Sequence, residues 1–178
     1  TNAYQLFITD EAELKGLPES AKAAAKEEAT AAGRPDAWLF TPKRTSFTPV
    51  LQYCENRELR KELLMAYTTR GNHDNEYDNK QLAEDMARLR VEKANLLGYK
   101  SYSHYVTADQ MAGNPDAVYN LLEEIFFPAV ESAKLELEEM NKMFQQDYPG
   151  ETFDKADWWY YAEKVRKSKY QLDEEAVR

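Results

Sequence analysis

The chain has 178 residues, 43% of them hydrophobic and 31% charged, proportions that are ordinary for a globular protein. Its formal net charge of −9 excludes a basic surface for nucleic-acid phosphates and disfavours docking on an anionic membrane. No apolar run reaches the roughly 18 residues that a membrane-spanning helix needs. Cys54 is the only cysteine, so an intramolecular disulfide is impossible, and its apolar surroundings predict a small buried thiol. We therefore expect neither nucleic-acid nor membrane partners and a cytoplasmic location, with the periplasm left open because periplasmic proteins can lack disulfides.

Glycine, proline and capping residues divide the first half of the chain into predicted helices. These helices cover residues 10–15, 19–32, 46–54 and 57–70. Gly16 and Gly33 are expected to end the first two, while Ser46 and Asn56 are expected to cap the last two. The stretch 38–41 is the only one with an extended pattern. The fourth helix carries an apolar stripe at i, i+4, i+7 and i+8, formed by Leu59, Leu63, Ala66 and Tyr67.

The second half is also predicted to be helical. Its expected helices cover residues 80–97, 102–111, 115–147 and 156–170. Asn79 and Asn114 are expected N-caps, Pro128 is an expected kink, and Asp173 is expected to cap one more helix. The first of these helices has the apolar set Leu82, Met86, Leu89, Val91, Ala94 and Leu97. We predict an all-α fold in which residues 1–178 form a single helical segment without an internal boundary.

Side chains that could carry chemistry are few. His73 and His104 lie far apart in the sequence, neither has a second histidine at i+4, and the zinc-binding pattern HExxH does not occur. We interpret His73 as a solvated loop residue and His104 as a local hydrogen-bonding group near a helix start. Cys54 has no evident base beside it, and the many glutamates are typical of a solvated helix face. The sequence therefore predicts no catalytic, cofactor-binding or metal-binding residue.

Four consecutive aromatic residues occupy positions 158–161, and Tyr170 follows on the same predicted helix. Adjacent residues of a helix point in different directions, so this segment must be contacted on more than one side. One interpretation is a helix enclosed in the core. The other is partial exposure around Trp158 and Trp159, because a further part of the protein would cover them.

Several segments, in this order and spacing, resemble the thimet-oligopeptidase-like family of zinc metallopeptidases, especially its bacterial peptidyl-dipeptidase (dipeptidyl carboxypeptidase) branch. The segments that carry the resemblance are residues 14–18 (LKGLP), 53–63 (YCENRELRKEL), 66–67 with Arg70, 78–79, 89–90, 93–99 (KANLLGY), 111–112, 157–161 (DWWYY), 169–170 and 172–175 (LDEE). No one segment is specific by itself. Their number and order across nearly the whole chain make the resemblance strong.

The resemblance implies an almost wholly helical, two-lobed peptidase in which two halves line a deep channel for short peptides. In such enzymes the HExxH histidines and a downstream glutamate bind zinc, and the glutamate of HExxH activates water. This sequence contains none of those residues, so the resemblance implies a non-catalytic segment upstream of the catalytic region. Zinc and short peptides would belong to the parent protein, and the missing catalytic half would be the partner.

Both ends of the chain fit this interpretation, since Thr1 is not methionine and Arg178 falls shortly after the capping signal at Asp173. We therefore expect a segment truncated at both ends that acts as scaffold and channel wall and is inert alone. The alternative is a free-standing helical binding or scaffold protein without catalytic activity.

Overall fold

A computed structural model describes residues 4–170 of the chain. The elements are β1 (Leu6–Ile8), a 3-10 helix (Glu11–Leu14), α1 (Glu19–Ala31), β2 (Trp38–Phe40), α2 (Arg44–Tyr53), α3 (Arg57–Thr68), α4 (Lys80–Leu96), α5 (Tyr102–Thr107), α6 (Pro115–Asp147) and α7 (Trp158–Tyr170). Helices dominate, which confirms the predicted all-α class. None of the described helices combines the length and apolar character needed to cross a membrane. The helix expected after Asp173 lies outside the described residues.

The chain divides into two compact units. Unit 1 contains the residues up to Arg70 together with those from Leu137 onward, and unit 2 contains Gly71–Glu136. Helix α6 contributes its first part to unit 2 and its last part to unit 1.

In unit 1 the two short strands pair antiparallel, with Leu6 opposite Phe40 and Ile8 opposite Trp38. The extended stretch predicted at 38–41 is thus confirmed as β2, but the prediction that it stands alone is wrong. Strand β1, which like β2 has three residues, was not predicted. The Lys26 ammonium of α1 lies 4.1 Å from the Trp38 ring centroid, which adds a cation–π contact to the packing of α1 on β2.

The core of unit 1 brings the N-terminal segments against α2 and α3. Its buried members are Ile8, Leu14, Leu17, Ala25, Phe40, Val50, Cys54, Leu59 and Leu63. The Cys54 thiol donates to the Glu13 carbonyl at 3.4 Å, and burial raises its pKa, so the predicted buried thiol is confirmed. Gly16 has φ +89°, and a Cβ there would lie 2.3 Å from the Tyr53 carbonyl oxygen. Only glycine therefore allows this close approach of the 3-10 helix to the end of α2.

A capping side chain marks the start of α3 but not that of α2. Asn56 is the N-cap of α3, where its Oδ1 accepts hydrogen bonds from the Glu58 and Leu59 N–H groups at 3.1 and 3.2 Å. The prediction that Ser46 caps the preceding helix is wrong. Helix α2 begins earlier, at Arg44, and the Ser46 Oγ instead accepts a hydrogen bond from the Thr41 N–H at 3.0 Å.

Replacing Asn56 with alanine is expected to lower the free energy of unfolding by about 1 kcal/mol, because two N–H groups at the start of α3 lose their acceptor. Urea denaturation of the wild-type and N56A chains measures the change. Asn56→Ser, which restores a capping oxygen, serves as the control and is expected to recover most of the loss. Equal stability of N56A and wild type would show that this cap is unimportant.

Unit 2 contains α4, α5 and the first part of α6. Asn79 is the N-cap residue of α4, as predicted, but its side chain makes no capping hydrogen bond; the Asp78 carboxylate accepts from the Lys80 N–H at 2.8 Å. Helices α4 and α5 pack together: the Arg90 guanidinium of α4 lies 5.3 Å from the Tyr102 ring centroid, and the Lys93 ammonium lies 4.9 Å from that of Tyr105. Ala94 of α4 is buried. The other members of the predicted apolar set of α4 are exposed.

The long helix predicted over 115–147 is confirmed as α6. The Asn114 Oδ1 accepts from the Ala117 N–H at 2.9 Å, which satisfies one of the donors at the helix start. Pro115 takes the first helical position, where proline needs no hydrogen-bond acceptor for its nitrogen.

Candidate functional site: a buried arginine–aspartate centre

The most highly organised polar site of the described residues lies in unit 1, between α3 and the start of α7. Arg57 and Arg60 come from the first turns of α3, and Asp157 immediately precedes α7. The side chains of Arg60 and Asp157 are fully buried, and that of Arg57 is nearly so. Charged groups are rarely buried unless they are paired, so this site must be closely matched in charge and geometry.

Asp157 receives both guanidinium groups. The Arg57 Nε lies 3.1 Å from each carboxylate oxygen, and its Nη2 lies 2.9 Å from Oδ2. The Arg60 Nη2 donates to Oδ1 at 2.8 Å. Two arginines thus hold one carboxylate through charge-assisted hydrogen bonds, the strong class of protein hydrogen bond.

The remaining arginine donors bind neighbouring backbone and surface groups. The Arg60 Nη1 donates to the carbonyl oxygens of Cys54 and Glu55 at 2.8 and 3.2 Å. The Arg57 Nη2 donates to the Thr152 carbonyl at 2.8 Å, and its Nη1 pairs with the Glu151 carboxylate. The centre therefore ties the end of α2, the start of α3 and the loop before α7 to one another.

Asp157 also shapes the start of α7. Its Oδ2 accepts from the Asp154 N–H, and its carbonyl accepts from the Tyr161 N–H, both at 2.9 Å. Burial acts to raise the pKa of the Asp157 carboxyl, but the hydrogen bonds from Arg57, the Asp154 N–H and Arg60 outweigh it and hold the pKa below its ordinary value. The carboxyl is therefore ionised at neutral pH.

Aromatic rings enclose the two guanidinium groups. Arg60 lies 4.3 Å from the Tyr160 ring centroid, and Arg57 lies 4.9 Å from the Phe144 centroid and 5.2 Å from the Tyr148 centroid. These cation–π contacts exclude water from the ion pairs while stabilising the positive charges.

The aromatic run at 158–161 combines features of both interpretations. Tyr161 is fully buried, and its hydroxyl donates to the Asp147 carboxylate at 2.8 Å. Trp158 and Tyr160 are partly buried against the cluster of Met140, Phe144 and Tyr161. Trp159 lies on the opposite side of α7, where it is partly exposed and its ring centroid is 6.2 Å from that of Phe47. Contact on more than one side of the helix is thus confirmed, with partial exposure at Trp159.

The centre is suited to holding structure rather than to reacting. Its carboxylate is ionised, is occupied by two guanidinium groups, and has no exposed surface. A general base needs an oxygen that can reach a substrate proton, and a buried carboxylate saturated with donors offers none. The arrangement instead fixes the positions of three backbone segments.

The histidines singled out in the sequence lie away from this centre. The His104 Nδ1 is 2.8 Å from the Ser101 Oγ at the start of α5, which confirms its predicted local hydrogen bond. His73 lies exposed in the loop before α4. Within residues 4–170, no three His, Cys, Asp or Glu side chains converge in a way that could hold a metal ion.

Sequence reasoning missed Arg57, Arg60 and Asp157 as a unit, although each lies in a segment that carries the family resemblance. Arg57 and Asp157 are 100 positions apart, and no local pattern joins them. One signal was available: Arg60 follows the N-cap Asn56 by four residues and comes directly after Leu59, a member of the predicted core stripe. An arginine at such a position is a candidate buried charge that requires a carboxylate partner.

The helical fold and the segments that carry the family resemblance are typical of a class of peptidases. The sequence profile of Peptidase family M3 matches residues 50–178, and the chain belongs to this family. Oligopeptidase A of Salmonella typhimurium is 36% identical over 182 residues, covering 100% of this chain and 27% of its own length. Oligopeptidase A of Escherichia coli is 35% identical with the same coverage. Dipeptidyl carboxypeptidase of Escherichia coli is 32% identical, covering 97% of this chain and 25% of its own length.

The chain thus spans about a quarter of the length of these curated relatives. The family predicted from the sequence is confirmed, and both kinds of peptidase implied by the resemblance occur among the relatives. The relatives also show that the resemblance extends over the N-terminal residues that precede the profile match.

Proposed function

We propose that this chain is a scaffold and channel-wall segment of a zinc-dependent peptidase that hydrolyses short peptides. The names of the relatives indicate two modes for the parent protein, cleavage of oligopeptides and removal of C-terminal dipeptides. The observation that carries the proposal is the alignment of the whole chain with about a quarter of each relative. The buried centre supports the proposal, because its role is to stabilise the fold and it offers no reactive group. Its members are Arg57, Arg60 and Asp157.

In this proposal residues 1–178 act as one non-catalytic segment of a cytoplasmic enzyme. The zinc ligands, the catalytic glutamate and the groups that bind the peptide carbonyl come from the part of the parent that this chain does not span. The segment contributes rigid helices, fixed by the arginine–aspartate centre, that limit which peptides can enter.

The purified chain is expected to release no product from an internally quenched oligopeptide or from a peptide with a free C-terminal dipeptide, with or without added zinc. Equimolar zinc is also expected to leave its melting temperature unchanged, because a metal that binds only the folded state would raise it. Fluorescence and mass spectrometry measure product release, and calorimetry measures melting. Escherichia coli oligopeptidase A serves as the positive control. Chelator-sensitive release of dipeptides by the chain would contradict the proposed inert role.

A second experiment tests the place of the chain in a peptidase. In full-length Escherichia coli oligopeptidase A, the segment that aligns with this chain is replaced by residues 1–178. We expect this chimera to fold and to retain peptidase activity. A chimera that fails to fold, while the isolated chain folds normally, would favour the alternative of a free-standing helical binding protein.

A further inference from the structure

The first part of α6, in unit 2, carries a broad apolar face that the described residues leave uncovered. We define the α6 apolar face as Tyr119, Leu122, Ile125 and Phe126, which follow one another at helical spacing and are 52–62% exposed. The same spacing leads along the helix to Met140 and Phe144, which are buried in unit 1. One stripe of α6 is therefore buried at its end and bare at its beginning.

The exposed apolar surface extends beyond this face. Leu121, Phe127 and Leu135 are between 59% and 68% exposed and lie outside the stripe on the same helix. A helix that is apolar around most of its circumference is typical of a buried position in a larger protein. Exposed patches of this extent on a monomer usually mark an interaction surface.

Helix α4 gives a second, independent observation in the same unit. Its Leu82, Met86 and Leu89 share one side of the helix and are 52–61% exposed. Among the described residues of unit 2, only Ala94 and Pro115 are buried. Unit 2 therefore has little core of its own.

Charge limits what can cover the α6 apolar face. Glu123 flanks the α6 apolar face, Glu124 and Glu131 lie on the opposite side of the helix, and Lys134 pairs with Glu131 at 2.7 Å. A second copy of this chain docked face to face would place Glu123 of both copies at the rim of one interface, where the like charges repel, since a two-fold interface repeats the same surface. The net charge of −9 adds to that repulsion. An anionic membrane surface is disfavoured for the same reason.

We infer that the α6 apolar face is the docking surface for the remainder of the family M3 peptidase, namely the part of the relatives' length that this chain does not span. The inference rests on the proposed function. The relatives supply about three quarters of their sequence from outside the aligned segment, enough to surround α6 on more than one side. The occupant should present apolar side chains to the face and a basic residue toward Glu123 beside it.

The test uses the chimera with Escherichia coli oligopeptidase A and the isolated chain in parallel. The double variant L122Q/F126Q removes two members of the α6 apolar face, and E124Q/E131Q on the opposite side of the helix is the matched control. In the isolated chain L122Q/F126Q is expected to leave the melting temperature unchanged, because both side chains are exposed. In the chimera it is expected to lower the melting temperature by about 5 °C or more and to reduce activity, since buried apolar groups are lost. The control pair is expected to change neither by a comparable amount.

Each outcome separates the two proposals. If the L122Q/F126Q chimera has the same melting temperature and peptidase activity as the unsubstituted chimera, the docking inference is overturned and the proposed function stands. If the unsubstituted chimera fails to fold, the proposed function is overturned and the inference with it. Light scattering of the isolated chain tests whether a second copy of the chain covers the face instead. A dimer of the isolated chain that dissociates in the L122Q/F126Q variant would contradict the inference.

Discussion

Replacing Asp157 with asparagine is expected to lower the free energy of unfolding of unit 1 by about 3–5 kcal/mol. The substitution keeps the shape of the side chain but removes the negative charge that faces Arg57 and Arg60. Arg60 is fully buried, and within residues 4–170 its ion-pair partner is Asp157 alone, so its charge would remain in the interior without a counter-charge. Breaking a buried pair by removing one partner costs far more than the intact pair contributes, because the desolvated charge is left unmatched.

Urea denaturation followed by tryptophan fluorescence measures the effect. All three tryptophans, Trp38, Trp158 and Trp159, belong to unit 1, so the signal reports on the unit that contains the centre. The control is Glu139→Gln, which removes the exposed ion pair between Glu139 and Lys169 at 2.6 Å. That pair joins α6 to α7 in the same unit and is expected to contribute less than about 1 kcal/mol. A D157N loss no larger than the control loss would show that the centre is not important for stability.

The pH dependence gives a second measure of the same effect. Because the folded-state pKa of Asp157 lies below its unfolded value, the ionised carboxyl stabilises the fold above the unfolded pKa of about 3.9. That stabilisation is lost as the pH falls through the folded-state pKa. The difference in free energy of unfolding between wild type and D157N should therefore be largest at pH 7 and should become smaller below about pH 4. A difference that is constant across this range would indicate a cause other than the charge.

Phe144→Ala is expected to lower the free energy of unfolding by about 3–5 kcal/mol, because it opens a cavity at the centre of the aromatic cluster. Phe144 is fully buried, and its ring centroid lies 5.4–5.5 Å from those of Tyr148, Phe153 and Tyr161. The substitution also removes the ring that faces the Arg57 guanidinium. Loss of packing and loss of the cation–π contact therefore act in the same direction.

The same urea experiment measures the F144A effect. Met65→Ala on α3 is the matched control, because Met65 is a large apolar residue of unit 1 that is half exposed. We expect that control to cost less than about 1 kcal/mol. The double variant F144A/D157N should lose less than the sum of the single losses, since both substitutions disturb Arg57. Additive losses would show that the cluster and the ion pairs are independent.

Local signals in the sequence predicted the helices well. Asn56 and Asn114 both cap helices as expected, since a side-chain oxygen at that position satisfies neighbouring N–H groups wherever the helix packs. Ser46 was misplaced because a serine inside the first turn resembles a cap by sequence alone. Its hydroxyl instead bonds Thr41, a partner set by the chain's path before α2.

Long-range contacts could not be predicted in the same way. The pairing of β1 with β2 joins residues about thirty positions apart, and the arginine–aspartate centre joins residues 97 and 100 positions apart. Such contacts depend on how elements pack, which periodicity does not encode. The apolar set of α4 illustrates the limit: periodicity identified an apolar side of the helix, but it could not tell which part of a protein covers that side.

The arginine–aspartate centre also has a consequence for how this segment can change over evolutionary time. A single substitution at Arg60 or Asp157 leaves an unmatched charge in a site that water does not reach. A path to a different core must therefore replace several members together, or pass through a chain that folds poorly. An apolar triad of similar volume could be just as stable, yet gradual substitution would seldom reach it. The centre is therefore difficult to replace one residue at a time, and redesign of this region should exchange all its members in one step.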